Sequence, residues 1–389
     1  MLGLSACAVG DPQPASDITD VSATLNGDVH SSVVGDTEYW WKYGETTAYG
    51  SETPHGTVAI SDDQPHPVSE PIGGLTPDTM YHFQLCARDE EEEPPRTVCS
   101  SDRTFSTYPP GDGSLITFTS DRGSGDQIFV MDTFGSGQTS LSDSPDGQSA
   151  WSPDATKIAF ASFRDGNEEI YVMDADGSNQ ENLTDTEFVG EGDPAWSPDG
   201  AKIAYSSCGE YCEIWVMDAD GSDQEKLTDQ VGTAFHDRQP TWSPDGEQIA
   251  FYTDRESTDE VGIDEIYVMD ADGANETPVT DDLNGKDDPA WSPDGTKIAF
   301  ASFIIAEGSW EIVVMDADGS DQTDVSNHPA SDTQPSWSPD GSRIAFTTLR
   351  DSSGDSNEVF VMDADGSNQT NLSQSDDSDD SDSAWSSAP

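Results

Sequence analysis

Two series of polar residues recur at fixed distances ahead of a tryptophan. Three positions before Trp151, Trp196, Trp242, Trp291, Trp337 and Trp385 stand Gln148, Asp193, Gln239, Asp288, Gln334 and Asp382. Five positions before them stand Asp146, Glu191, Asp237, Lys286, Asp332 and Asp380. Side chains two apart on a strand share a side. The two series therefore predict two stacked polar tiers near one mouth of a channel, with eight carboxylates between them. Hard cations such as calcium take oxygen ligands of this kind, which makes Asp193, Asp288 and Asp382 the candidate metal ligands. The competing expectation is a hydrated funnel too wide for carboxylates to converge, with no cofactor required.

The elements that must carry these residues are strands of a repeat. The tryptophans recur every 45 to 49 residues, and a second marker, Val-Met-Asp, places Asp at 132, 174, 218, 270, 316 and 363. In one copy, Pro194-Ala195-Trp196 enters a Pro-Asp-Gly turn, and Lys202–Ser207 and Glu213–Asp218 read as half-buried strands. Asp218-Ala219-Asp220-Gly221 is the next turn, and Glu225–Thr228 the outer strand. Four short antiparallel strands in this length match a β-propeller blade. Such blades must stack, because each alone leaves an apolar face bare. The repeat begins at Leu115–Ser120, which matches a second strand, and closes at Ser383–Ser386, which matches a first. The last strand is thus expected to complete the first blade, giving six blades over 114–387. The acidic run 373–383 belongs to the repeat: Leu372 to Trp385 spans the same 13 residues as Leu183 to Trp196.

Other candidate chemistry is weaker. The Asp-x-Asp-Gly segments at Asp174, Asp218, Asp270, Asp316 and Asp363 look like the start of a calcium loop, but the distal Glu of an EF-hand is absent. Tight hairpin turns favour the same residues. No G-x-S-x-G elbow, P-loop or H-E-x-x-H helix occurs, so no catalytic residue is assigned. His236 lies near a channel-type position and reads as a solvated loop histidine.

Residues 8–108 form a different unit of short strands and turns, including the aromatic run Glu38–Gly44 and the segment Leu75-Thr76-Pro77-Asp78-Thr79-Met80-Tyr81. Residues 109–113, Pro-Pro-Gly-Asp-Gly, read as a linker. Cys86 and Cys99 are placed to face each other across a hairpin, and Cys208 and Cys212 bracket a three-residue turn. Two disulfides fit an oxidising, exported setting, at the cell surface, in the periplasm or outside the cell. Leu4-Ser5-Ala6-Cys7 looks like a bacterial lipobox within residues 1–7, with Cys7 the candidate lipidation site and only membrane attachment.

The formal net charge is −63, from 78 acidic and 15 basic side chains. Such a chain repels phosphate backbones, so nucleic acid is not an expected partner. Basic partners, cations and high salt remain compatible, and a melting temperature that rises with salt is expected.

The W-S-P-D-G, I-A-F and I-Y-V-M-D-A-D-G-S signatures resemble the TolB-type, WD40-like propeller repeats. The L-x-P-x-T-x-Y segment resembles the tyrosine corner of fibronectin type III domains, where the hydroxyl of Tyr81 would bond back to the chain. Together the resemblances imply an all-β chain: a fibronectin type III-like β-sandwich, then a six-bladed β-propeller closed by its N- and C-terminal strands. The function expected is that of a monomeric, non-enzymatic binding or scaffold protein. It would hold a protein or small cationic ligand at a propeller face. The rivals are a carbohydrate- or peptide-acting enzyme with a channel metal, and a purely architectural surface module.

Overall fold

Short runs of β-branched and aromatic residues, broken by Asp, Gly and Pro, give strands and no helix among the described residues. The structure is a computed structural model. It describes residues 9–15, 21–30, 35–61, 64–77, 79–89, 96–107, 114–123, 125–143, 145–229, 235–255, 264–282, 284–350, 356–375 and 378–387. Cys7 and the linker 109–113 lie outside them. The chain divides into two compact units, 1–112 and 113–389. Among the described residues no helix is long and apolar enough to cross a membrane.

In the first unit, strict alternation in Ser22–His30 buries Ala23, Leu25, Gly27 and Val29 on one face. That strand pairs with Val9–Pro12 and His66–Gly73. A second sheet centres on Gly35–Gly44 paired with Met80–Asp89. Both sheets feed one core around Leu25, Trp41, Phe83 and Leu85. The Tyr81 hydroxyl accepts the Thr76 N–H at 2.9 Å. Cys86 and Cys99 are directly opposed and form a disulfide.

The second unit holds six four-stranded antiparallel sheets among the described residues. In chain order, sheet 2 comprises Asp146–Trp151, Lys157–Ser162, Glu169–Asp174 and Glu181–Asn182; sheet 3 comprises Gly190–Trp196, Lys202–Cys208, Cys212–Asp218 and Glu225–Lys226. Sheet 4 comprises Asp237–Trp242, Gln248–Thr253, Glu265–Asp270 and Thr277–Pro278; sheet 5 comprises Lys286–Trp291, Lys297–Ile304, Ser309–Asp316 and Thr323–Asp324. Sheet 6 comprises Asp332–Trp337, Arg343–Thr348, Glu358–Asp363 and Thr370–Asn371. Sheet 1 joins both ends of the unit: Asp380–Trp385 pairs with Leu115–Ser120, followed by Gln127–Asp132 and Thr139–Ser140. First strands of successive sheets touch in a closed cycle, with Asp380–Trp385 against both Asp332–Trp337 and Asp146–Trp151.

Second strands are buried on both faces, as Ile158 to Ser162 show. Their side chains pack between neighbours: Ile203, Tyr205 and Met217 of sheet 3 share a core with Ala159, Ile170 and Val172 of sheet 2. No sheet therefore buries its apolar surface alone.

The two turn types are built by their aspartates. Asp199 Oδ1 accepts the Ser197 hydroxyl at 2.7 Å and the Ala201 N–H at 3.0 Å. Asp176 Oδ1 accepts the Ser178 N–H at 3.0 Å. Gly319 has φ +89°, and a Cβ there would lie 2.0 Å from the Val279 carbonyl of the preceding sheet. Only glycine fits that approach, so the Asp-x-Asp-Gly segments are turns between the third and fourth strands of a sheet that pack against the preceding sheet.

Candidate functional site: the channel and its acidic mouth

Each first strand carries a bulge. Its pairing slips between Gly147 and Ala150, Gly192 and Ala195, Arg238 and Thr241, Asp287 and Ala290, and Thr333 and Ser336. In sheet 1 the slip falls between Ser381 and Ala384. Inside every slip sits one residue of the first tier: Gln148, Asp193, Gln239, Asp288, Gln334 and Asp382 have φ of 51°, 55°, 52°, 53°, 54° and 52°. Non-glycine residues hold this conformation only where the surroundings over-determine it.

A hydrogen-bonded belt supplies that constraint. The Asp193 N–H donates to Gln148 Oε1 at 3.0 Å. Ser206 donates to Asp193 Oδ2 at 2.9 Å and accepts the Gln239 N–H at 3.0 Å. The Asp288 N–H donates to Gln239 Oε1 at 3.0 Å, and Gln239 Nε2 returns a bond to Asp288 Oδ1 at 2.5 Å. Asp288 Oδ2 accepts the Gln334 N–H at 3.0 Å. The Asp382 N–H donates to Gln334 Oε1 at 3.2 Å, and Gln334 Nε2 donates to Asp382 Oδ1. Gln and Asp alternate because the carboxamide both accepts a neighbouring N–H and donates to a neighbouring carboxylate.

All six first-tier residues line one cavity of about 210 Å3, as do Pro194, Pro240, Pro289 and Pro335. Carboxylates crowd its end. Burial, then the nearby charges of Asp193 and Asp382, pushes Glu168 up to about 7. Burial, with Asp264 and Asp193 close by, raises Asp287 to about 7. Asp382 rises to about 6 through burial and the charge of Asp193. Asp193 and Asp288 are raised too, chiefly by burial. The Arg238 guanidinium opposes the rise at Asp193 and Asp287. Among the described residues no three His, Cys, Asp or Glu side chains converge as a metal ion requires. Asp193, Asp288 and Asp382 each accept hydrogen bonds within the belt.

The second tier does not open on the channel. Asp146, Glu191, Asp237, Lys286, Asp332 and Asp380 are all 0–2% exposed. The bulge is the reason: the first-tier residue is itself part of it, and its left-handed backbone breaks the alternation that would have put the two tiers on one side. Four of the six are ion-paired with an arginine of their own sheet. Arg164 Nη2 reaches both oxygens of Asp146 at 3.0 and 2.9 Å, and Arg255 Nη2 those of Asp237 at 2.9 and 3.0 Å. Arg350 grips Asp332, and Arg122 Nη2 meets Asp380 at 2.5 Å. Each guanidinium also lies over its sheet's aromatics; Arg164 is 4.5 Å from the Tyr171 ring.

Sheets 3 and 5 depart from this scheme. Arg164, Arg255 and Arg350 stand thirteen residues after their tryptophans, where sheets 3 and 5 have Gly209 and Ile304. In sheet 5 the charge is exchanged: Lys286 bonds Asp282 at 2.5 Å and lies 3.4 Å from Glu265. In sheet 3 no cation replaces the arginine among the described residues. Glu191 bonds the Thr186 hydroxyl at 3.0 and 3.1 Å, and faces the equally buried Glu169. Burial, together with the charge of Glu169, raises Glu191 to about 7.

Several residues at the mouth lie outside the two series. Asp287 and Arg238 stand four before their tryptophans, where Gly147 and Gly192 stand elsewhere. Glu168 and Asp264 immediately precede third strands. Failure of the repeat was the available signal at Arg238 and Asp287, whereas Glu168 and Asp264 share their place in the repeat with Asp126. His236 accepts the Cys212 N–H at 3.2 Å beside the Cys208–Cys212 disulfide. The same end of the sheets carries exposed apolar side chains: Phe163 (56%), Phe188 (92%) and Ile305 (62%). All three lie on connections into or out of that end, and the Phe163 N–H bonds Pro145 just ahead of the first strand of sheet 2.

Residues 149–286 and 284–388 match the family model of the TolB beta propeller domain, and together they span more than half of the chain. The chain belongs to that family. Among solved structures, TolB from Acinetobacter baumannii is similar at TM-score 0.59 and 20% identity, over 79% of each chain. A putative TolB from Agrobacterium tumefaciens gives 0.52 and 25%, over 67% of this chain and 88% of the other. A chain of the Nidogen/Laminin complex gives 0.55 at 10% identity, over 71% and 99%. No curated protein matches the chain. The TolB-like propeller fold suits a protein-interaction or scaffold role.

Proposed function

We propose that this is an exported, non-enzymatic binding or scaffold protein. Its six-bladed, TolB-like propeller receives a basic protein segment or small cationic ligand at the acidic mouth. Residues 8–108 serve as a fibronectin type III-like spacer, a reading supported by the Tyr81–Thr76 bond. The two disulfides support export. The observation that carries the reading is the crowding of Glu168, Asp193, Asp287 and Asp382. Burial raises all four carboxyls, like charges add to it at Glu168, Asp287 and Asp382, and an incoming cation offsets that repulsion. Exposed Phe163, Phe188 and Ile305 at the same end supply the apolar contact of a protein interface.

The belt gives Asp193, Asp288 and Asp382 a structural use, so no observation favours the carbohydrate- or peptide-acting rival or a calcium site. The test is calorimetric titration with capped basic and acidic peptides. Basic peptides should bind, and Glu168→Gln with Asp287→Asn should weaken them at least tenfold without unfolding the protein. Equal binding of both peptide classes overturns the reading. So does hydrolytic or lyase turnover that the same substitutions abolish.

A further inference from the structure

A crevice of about 640 Å3 opens between sheets 5 and 6, on the flank of the repeat and not in the channel. Val314 and Val325 of sheet 5 and half-buried Trp337 of sheet 6 supply its apolar lining. Asp294, Asp321, Asp340 and Asp365 also line it. Asp294, Asp340 and Asp365 use Oδ1 for their turns, leaving Oδ2 for an incoming donor. Hydrogen bonds from the Thr296 N–H and the Ser292 hydroxyl hold the Asp294 carboxyl below its ordinary range, so it stays ionised.

The neighbouring sheet pair shows what suits such a place. Arg343 of sheet 6 lays its guanidinium over Trp385 of sheet 1, 5.0 Å from the ring centroid. Arg343 stands six residues after Trp337, as Lys297 stands six after Trp291. Lys297 does not repeat the contact: its ammonium turns to Asp316 at 2.8 Å. Among the described residues no cation covers Trp337 as Arg343 covers Trp385.

We propose that this crevice docks an arginine presented by an extended segment of a partner protein. The guanidinium lies over Trp337, its aliphatic stem runs along Val314 and Val325, and its charge faces the four carboxylates. Arginine is favoured over lysine because a planar, weakly hydrated guanidinium stacks on indole and an ammonium is held by its water. The site is separate from the channel mouth and stands whether or not the mouth binds anything.

The test uses the whole protein and the peptide acetyl-Gly-Leu-Arg-Leu-Gly-amide, with a lysine counterpart, followed by calorimetry. The arginine peptide should bind at least fivefold more tightly than the lysine peptide. Lys297→Arg should place a guanidinium over Trp337 from within the chain. It should weaken the arginine peptide at least tenfold while the melting temperature holds. Glu168→Gln with Asp287→Asn should leave this binding unchanged. Equal affinity for the two peptides, undiminished binding to Lys297→Arg, or loss of binding in the channel variant each overturns the proposal. Concentration-dependent self-association abolished by Lys297→Arg also overturns it, by making a second copy the occupant.

Discussion

The two polar tiers start from the same strands, two residues apart, and end in opposite situations. The first lines the channel cavity and bonds sheet to sheet. The second is sealed from water, and four of its six members meet an arginine from their own sheet. One inserted residue per strand separates these outcomes. The bulge turns the first tier inward at positive φ and leaves the second buried, four of its members against arginines of their own sheets. Polar residues at regular spacing are thus poor evidence of a shared surface until the backbone between them is known to be regular.

If the second tier is a set of buried ion pairs, breaking one should be the most damaging change. Arg255→Met removes the guanidinium that bonds both oxygens of Asp237, which is 0% exposed, and that also meets Glu276. The expected loss is about 3–5 kcal/mol by urea unfolding, since a buried carboxylate loses its ion-pair partner. Adding Asp237→Asn should recover much of it. A loss under about 1 kcal/mol would mean that water reaches Asp237 and that the two tiers do not differ.

The belt is tested more gently. Gln239→Ala removes the acceptor of the Asp288 N–H and the donor to Asp288 Oδ1. The expected cost is about 1–3 kcal/mol, the range for leaving part-buried polar groups unpaired. The same change at exposed Gln374 should cost nothing measurable. Equal effects at the two positions would make the belt ornamental.

Repeat, strand order and terminal pairing were legible because tryptophans and turn residues recur in step with the sheets. Ile116 opposite Trp385 is the pairing that the phase of the repeat requires. The disulfides were legible as local pairs, and the Tyr81 bond through its flanking Leu and Pro. The bulge was not, because nothing in Gln148 or Asp288 announces positive φ as glycine would. The second tier was consequently placed on the wrong side. Its arginines could have been found: Ser120-Asp121-Arg122, Ser162-Phe163-Arg164, Thr253-Asp254-Arg255 and Thr348-Leu349-Arg350 share one pattern. The mouth residue Asp287 was hidden by its irregularity, since a search for repeats discards what does not repeat.

The smallest effect sits where the second tier lacks its arginine. Glu191 is buried against Glu169, with Tyr205 the other titratable group affected by its charge, and its pKa is raised to about 7. An acid whose folded pKa lies above its unfolded value binds its proton more tightly in the folded state. Its contribution to stability is therefore complete below about 4.5 and is lost as pH rises through about 7. Glu168, Asp287 and Asp382 act in the same direction and over much the same window. The turn aspartates, such as Asp199, are lowered by the Ser197 hydroxyl and the Ala201 N–H, and they oppose this only at more acid pH. Stability should thus fall between pH 5 and pH 8, the reverse of ordinary acid denaturation. Glu191→Gln should match the parent near pH 5 and exceed it at pH 8 by on the order of 1 kcal/mol. The equivalent change in an arginine-paired site, Asp237→Asn, should give no such gain at pH 8, because there the charge is wanted. Parallel pH profiles for Glu191→Gln and the parent would show that the pair is already neutralised from outside the chain, and the contrast between the sites would close.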